Sequence, residues 1–326
     1  LSDGRNCRRC KKIQSNSHMS IRRSAFALSA ALAVFCVCLL AGGDRFPASA
    51  EKNEVWITIE ASELEALVTA EEYGALSDKL EPSVVKNGIA VVRIPESRLE
   101  ALSGAMHKHH HKCAGFIAHT SETEALFSAE KAGVENAASR LVEYSIDNQA
   151  AVAPLLTQVQ EMPVRQMILD LSSYDTRRHN SETGLLSANY INFKWTTLSA
   201  SRADMTVSMY SHPAAVTPQP SVILTIQGTE SPDEIVVLGG HQDSINRNGA
   251  TLLAPGADDN ASGIASLTEV IRIIAESGFR PKKTVQFMAY AAEEVGLRGS
   301  RDIAQNYLDN NKNVIGLLQL DMTSDT

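Results

Sequence analysis

A mixed, mostly parallel α/β sheet flanked by helices, preceded by a small α+β domain, is the fold class this sequence predicts, and three observations carry it. Three apolar runs rich in β-branched residues, Glu234–Gly240, Thr284–Ala291 and Asn313–Leu320, read as buried strands. Between the first two, Ile264, Leu267, Ile271 and Ile274 recur at helical spacing across Ala261–Ser277, and Gly278 is a stop signal. Arg298–Asn311 reads as a second crossover helix. The order is then βαβαβ, which predicts parallel pairing with right-handed crossovers.

In chain order, residues 1–50 read as translated upstream sequence, Leu1–His18, followed by a leader. Leu1–His18 is polar and basic and starts without Met; Met19, Arg22-Arg23, the apolar run Ala25–Leu40 and Ala48-Ser-Ala50 have the layout of a secretory signal peptide cut after Ala50. The run is short for a span of about 20 residues, so export to the periplasm or medium is expected and a stable membrane anchor is not. Cys36 and Cys38 lie in that apolar run, and Cys7-x-x-Cys10 precedes it, so Cys113 is the one cysteine left after processing.

Residues 51–145 read as the α+β domain, with strands at Val55–Glu60 and Gly88–Pro95 and a helix at Ser97–His107. The run His107-Lys-His-His-His111 reads as a solvated, chargeable face rather than a metal cluster, because neighbouring side chains in a run point in different directions. From residue 146 to 326 the main domain begins with an amphipathic stretch whose Val152, Leu155, Leu156 and Val159 share a face, and Pro163 marks a new start. Asp170–Gly184 reads as a polar loop before a helix at Leu185–Leu198; His179 and His212 read as surface or packing histidines. Ser221–Gln227 is a further strand. It is expected to pair, across a turn at Glu230–Asp233, with the strand that follows, on the antiparallel side of the sheet.

The length of 326 residues allows about two domains, and the 44% apolar content supports a real core. A formal charge of −8, with no basic stripe, argues against nucleic acid as a partner.

The chemistry-bearing residues gather at the predicted strand ends: His241 and Asp243 after the first strand, Asp259 before the first crossover helix, Glu293 and Glu294 after the second strand, Asp321 after the third. Each alone has a plain reading as a loop, a helix N-cap or a solvated pair. Together, imidazole and carboxylates suit zinc, and a bridging carboxylate holds two ions about 3.5–4 Å apart. Asp243 is placed to orient His241 through its other ring nitrogen. Of Glu293 and Glu294, one could bind metal while the other acts as a base in hydrolysis by a metal-bound hydroxide.

The motifs G-G-H-x-D-S, P-G-A-D-D-N-A-S-G, A-Y-A-A-E-E-V-G-L-R-G-S and L-Q-L-D-M resemble the secreted bacterial leucyl aminopeptidases of the co-catalytic di-zinc aminopeptidase family, across Asp147–Asp321. The resemblance implies a zinc-exopeptidase (phosphorylase/hydrolase-like) fold and two zinc ions per subunit. His241 and Asp321 would hold one, Asp259 would bridge, Glu294 would help hold the other, and Glu293 would be the general base. The implied reaction removes an N-terminal residue, leucine or another hydrophobic one, from peptides or proteins. Residues 51–145 would be a propeptide in contact with the catalytic domain, and Cys113-Ala-Gly-Phe116 fits that pattern. The family completes its second zinc shell with a later His, whereas no His follows His241 here. That departure implies an incomplete, C-terminally truncated catalytic domain and leaves open whether this chain is active. Two other readings stand beside it: a glutaminyl-cyclase-like acyl transferase on a related fold, and an inactive remnant.

Overall fold

The alternation of Val55, Ile57 and Ile59 produces β1 (Glu54–Glu60), which buries Ile57 and Ile59 and is followed by α1 (Ala61–Thr69). The computed structural model describes residues 53–69, 80–110, 115–138, 145, 147–246 and 248–324. Residues 1–50 with their four cysteines, His111 and Cys113 lie outside them. Next come β2 (Pro82–Lys86), β3 (Ile89–Pro95), α2 (Leu99–His110), β4 (Phe116–His119) and α3 (Glu122–Ala138). These strands form an antiparallel sheet in the order β2-β3-β1-β4. Leu99, Leu102 and Met106 of α2 enter its core with Ile57, Ile94 and Phe116.

The second sheet holds β5 (Met205–Tyr210), β6 (Ser221–Ile226), β7 (Ser231–His241), β8 (Lys283–Tyr290) and β9 (Asn313–Gln319) in the order β5-β6-β8-β7-β9. β8 and β9 both run parallel to β7, β6 is antiparallel to β8, and β5 is antiparallel to β6. Four of the five strands therefore point one way, as βαβ crossovers require. Helices α4 (Gln149–Leu156), α5 (Glu161–Ser172), α6 (Glu182–Ser199), α7 (Gly263–Ser277) and α8 (Arg298–Asp309) surround it. On one face Leu171, Ile191, Trp195, Leu267 and Ile271 pack on Leu224 and Phe287; on the other, Ile303 of α8 packs on Ile223, Val237 and Met288.

Five expectations change. β6 does not pair with β7, because β8 lies between them: Thr229 and Glu230 donate to Pro281 and Lys282 carbonyls, so the connection passes over the start of β8. Pro232 sits within β7 at an irregularity in its pairing rather than in a preceding turn. β9 is an edge strand rather than a buried one: among the described residues it pairs only with β7, and Leu317 and Leu318 are 64% and 55% exposed. The apolar face of α4 is uncovered as well, with Leu156 63% exposed. Polar contacts hold that segment instead: Glu269 accepts from the Gln160 N–H at 2.8 Å, and Arg272 donates to the Gln158 carbonyl at 2.7 Å. Helix boundaries shrink the predicted polar loop to residues 173–181, with Ser181 Oγ capping α6 through the Gly184 N–H at 2.9 Å. Among the described residues no helix is long and apolar enough to cross a membrane.

Candidate metal centre

Three parallel strands deliver their carboxyl ends to one place, and the sequence puts a donor at each. β7 ends on His241; β8 ends at Tyr290 and runs into Ala291–Glu294; β9 runs into Leu320 and Asp321. Asp259 arrives on the loop before α7. That loop starts at Gly256, whose φ of +51° and crowding against Ser244 and the Asp259 carbonyl leave no room for a side chain. Ala292, just before the two glutamates, also has a positive φ of 53°, a conformation a residue with a Cβ adopts only under constraint.

His241 is fully buried, and its Nε2 lies 3.0 Å from Asp259 Oδ1, 3.4 Å from Asp321 Oδ1 and 4.0 Å from Glu293 Oε2. His241 Nε2, Glu293 Oε2 and Asp321 Oδ1 are buried without a hydrogen-bond partner among the described residues. Converging donors left in this way are expected of ligands arranged around a cation. On the other side, His241 Nδ1 is 3.1 Å from the Asp243 backbone carbonyl and 3.5 Å from its carboxylate. The nearer orienting group is thus the carbonyl. The Asp243 carboxylate accepts instead from the N–H groups of Glu293 and Glu294, at 3.0 and 3.2 Å, and fixes the loop that carries them.

The electrostatics point the same way. Burial raises the Glu293 carboxyl to about 8, with Asp243, Asp321 and Asp259 adding to the rise and His241 opposing it. Burial and then Asp259 raise Glu294 well above its ordinary value. Burial acts against charge on His241, but Glu293, Asp243, Asp259 and Asp321 outweigh it and raise its pKa well above 6.5. A pocket that must hold protons on buried carboxylates is short of positive charge, and divalent cations in an imidazole–carboxylate donor set supply it.

A second donor group shares Asp259. Its Oδ2 faces away from His241 and lies 3.8 Å from Nε2 of His107, and ligand atoms of His107, Asp259 and Glu294 lie within 4.8 Å of one another. His107 is buried, 7% exposed, on α2 of the N-terminal sheet. The reading of residues 107–111 as a solvated face is therefore wrong for His107. The helical turn aims it inward with Ser103 four residues before it, whereas a run taken as a unit hides that periodicity. His179 is buried against Thr217 Oγ1 at 3.1 Å, and His212 bonds Asp302 and Ser221, each at 2.8 Å; neither belongs to the two donor groups.

Two positioning residues went unseen in the sequence. Arg177, fully buried, donates to the carbonyls of Leu171, Gln242, Pro255 and Gly256, clamping the end of α5, the His241 loop and the Asp259 loop together. Burial lowers its pKa to about 10, against the pull of Asp243, Asp259 and Glu294. Asn260 donates to the Leu320 carbonyl at 2.9 Å and accepts from the N–H groups of Gly263 and Met322 at 3.0 and 3.3 Å, which ties the end of β9 to the Asp259 loop. Asp258 and Ser262 extend the tie through Ser324 and Thr323. The D-D-N-A-S stretch carries a signal for this, but as a turn or N-cap it reads as local.

Fold and site define a mixed α/β protein with a buried imidazole–carboxylate pocket at the carboxyl ends of its parallel strands. Residues 221–326 match the model of Peptidase family M28. In sequence, leucine aminopeptidase 1 of Metarhizium robertsii is 39% identical over 181 residues, which is 54% of this chain and 45% of that protein. A probable aminopeptidase of Saccharomyces cerevisiae is 33% identical over 183 residues, 55% of this chain and 49% of that protein. The chain spans about half the length of these relatives. In structure, LapB of Legionella pneumophila matches with a TM-score of 0.65 at 26% identity, over 83% of this chain and 70% of that one. The LapA aminopeptidase of the same organism shares the fold with a TM-score of 0.65 at 23% identity, over the same shares of both chains. The motifs resemble bacterial enzymes; the two sequence relatives are fungal.

Proposed function

We propose that this chain carries the metal pocket of a zinc aminopeptidase, which removes the N-terminal residue, leucine or another hydrophobic one, from peptides or proteins. One observation supports this above the others: the buried Glu293 carboxylate faces the His241–Asp259–Asp321 group, its Oε2 without a hydrogen-bond partner among the described residues. The names of the similar proteins, three of them aminopeptidases, support the reaction class.

His241, Asp259 and Asp321 would hold one ion, and Asp259 with Glu294 would hold the second. Bound zinc supplies a lowered pKa for water and a polarised carbonyl. The chain's own residues do the rest. Asp243 holds the Glu293–Glu294 backbone in place, and the Ala292 turn aims both side chains inward. Glu293 accepts the proton of the attacking water and returns it to the leaving amine; with ions held by its neighbours, the burial that raises its pKa would be opposed and Glu293 would be free as a base near neutrality. The leader at residues 19–50 supports export to the periplasm or medium, and the domain at 51–145 is read as a propeptide. The test is Glu293→Gln. Release of leucine from a leucyl peptide is expected to fall about 10²–10⁴-fold with zinc content unchanged; undiminished turnover at full zinc content would overturn the assignment.

A further inference from the structure

We propose that His107 is a metal ligand that the N-terminal α+β domain supplies to the second position of the pocket. With Asp259 and Glu294 it makes an imidazole–two-carboxylate site for a divalent cation of the zinc type. The inference rests on the metal reading of the pocket and adds a residue to it.

Geometry is the first support. The two oxygens of Asp259 face two different imidazoles, His241 at 3.0 Å and His107 at 3.8 Å, which is the arrangement of a bridging carboxylate. Each side then has one imidazole, the shared Asp259 and one carboxylate of its own, Asp321 or Glu294. Zinc ligands at about 2.0–2.1 Å from the ion sit roughly 3.3 Å apart in a tetrahedral site. The donors around His107, within 4.8 Å of one another, reach that spacing by small side-chain movements.

The second support is the design of α2. Its Leu99, Leu102 and Met106 fill the N-terminal core, and the face bearing Glu100, Ser103 and His107 is polar although Ser103 and His107 are buried. Burying hydroxyl and imidazole there would be unfavourable unless the face met polar partners. Glu100 pairs with Arg178, two residues from Thr176, which bridges to Ala254 just before the Asp259 loop.

The third support is that the layer carrying α2 is held against the pocket by contacts other than His107. Arg298 pairs with Glu96 at 2.8 Å, the Ala118 N–H donates to the Gly296 carbonyl at 3.0 Å, and Ala292 and Val295 on either side of the glutamates lie in the N-terminal core. A Cβ on Gly296 would meet Ala118 at 2.8 Å, so this approach is as close as backbone allows.

Zinc titration of the metal-stripped full chain by calorimetry tests the proposal. Unmutated protein is expected to take up two ions. His107→Ala and His107→Gln should leave one site unchanged and weaken the other tenfold or more, and His110→Ala should change neither. In unmutated protein with 15N-labelled histidine, the His107 Nε2 resonance should shift as the second ion binds, a readout that needs no variant to fold. Two ions bound with equal affinity in all variants and an unmoved His107 resonance would overturn the proposal and leave the pocket's metal reading standing. Uptake of no zinc by unmutated protein would overturn both.

Discussion

The two halves of the pocket are built by different means. His241, Asp259 and Asp321 come from one sheet and its loops. Their spacing follows from the β7–β9 register and from hydrogen bonds that the Arg177 and Asn260 side chains donate to backbone carbonyls. The half around Glu294 takes its imidazole, on this proposal, from a helix packed on the other sheet, so its spacing depends on a seam of three ion pairs (Glu100–Arg178, Glu96–Arg298 and Glu124–Arg301), one backbone hydrogen bond and a small apolar contact. The first kind of site is fixed once the sheet forms. The second exists only while the two layers stay docked.

That contrast is open to attack, first on the sheet side. Arg177→Met removes a buried cation from four carbonyls and is expected to lower stability by about 3–5 kcal/mol, as when one partner of a buried charged group is lost. Arg177→Lys should recover only part, since an ammonium cannot reach the same fork of acceptors. Urea unfolding midpoints decide it. Asn260→Ala should lower stability by about 1–3 kcal/mol and weaken zinc binding on the Asp321 side, with the Glu294 side less affected. Equal weakening of both sites would erase the distinction between the halves.

Acid should act on both sides of the seam. Burial, with Arg301 adding, lowers His119 to about 3, and burial lowers His179 to about 4. Both are below the ordinary 6.5, so as pH falls below 6.5 the unfolded chain takes up protons that the folded chain refuses. Stability is present above pH 6.5 and is lost on the way down to about 4 for His179 and about 3 for His119, on the order of 2 kcal/mol per histidine by pH 5. Glu293 and Glu294 act oppositely in metal-free protein, because their raised pKa values favour the folded state as pH falls. The melting temperature is therefore followed from pH 7.5 to 5 with zinc present, and His179→Gln is expected to flatten the slope. The smallest effect belongs to the seam. Glu96→Gln breaks a half-exposed pair with Arg298 and should cost about 0.2–1 kcal/mol, fading at high salt; a larger loss would mean that the seam is stiffer than its contacts.

The βαβαβ order, the crossover helices and the strand-end donors were legible because each rests on a local pattern with a known period. Strand order was not. Nothing in Ser221–Asp233 says that β8 will come between β6 and β7, since that depends on bonds to Pro281 and Lys282, some 50 residues on. Exposure misled in the same way. Val314 to Leu318 has the composition of a buried strand, yet composition records what could be covered and not what covers it. His107 and Arg177 escaped because both serve partners distant in sequence, and neither stands in a motif with an apolar period.

Arg177 has one more consequence. Four carbonyls from three segments converge on a single guanidinium, so none of these segments can fray without stranding the hydrogen bonds of the other two. The loops that carry His241 and Asp259 should then melt in one transition with the end of α5. Heating would remove the ligand set all at once, rather than giving a graded series of sites with one donor after another missing.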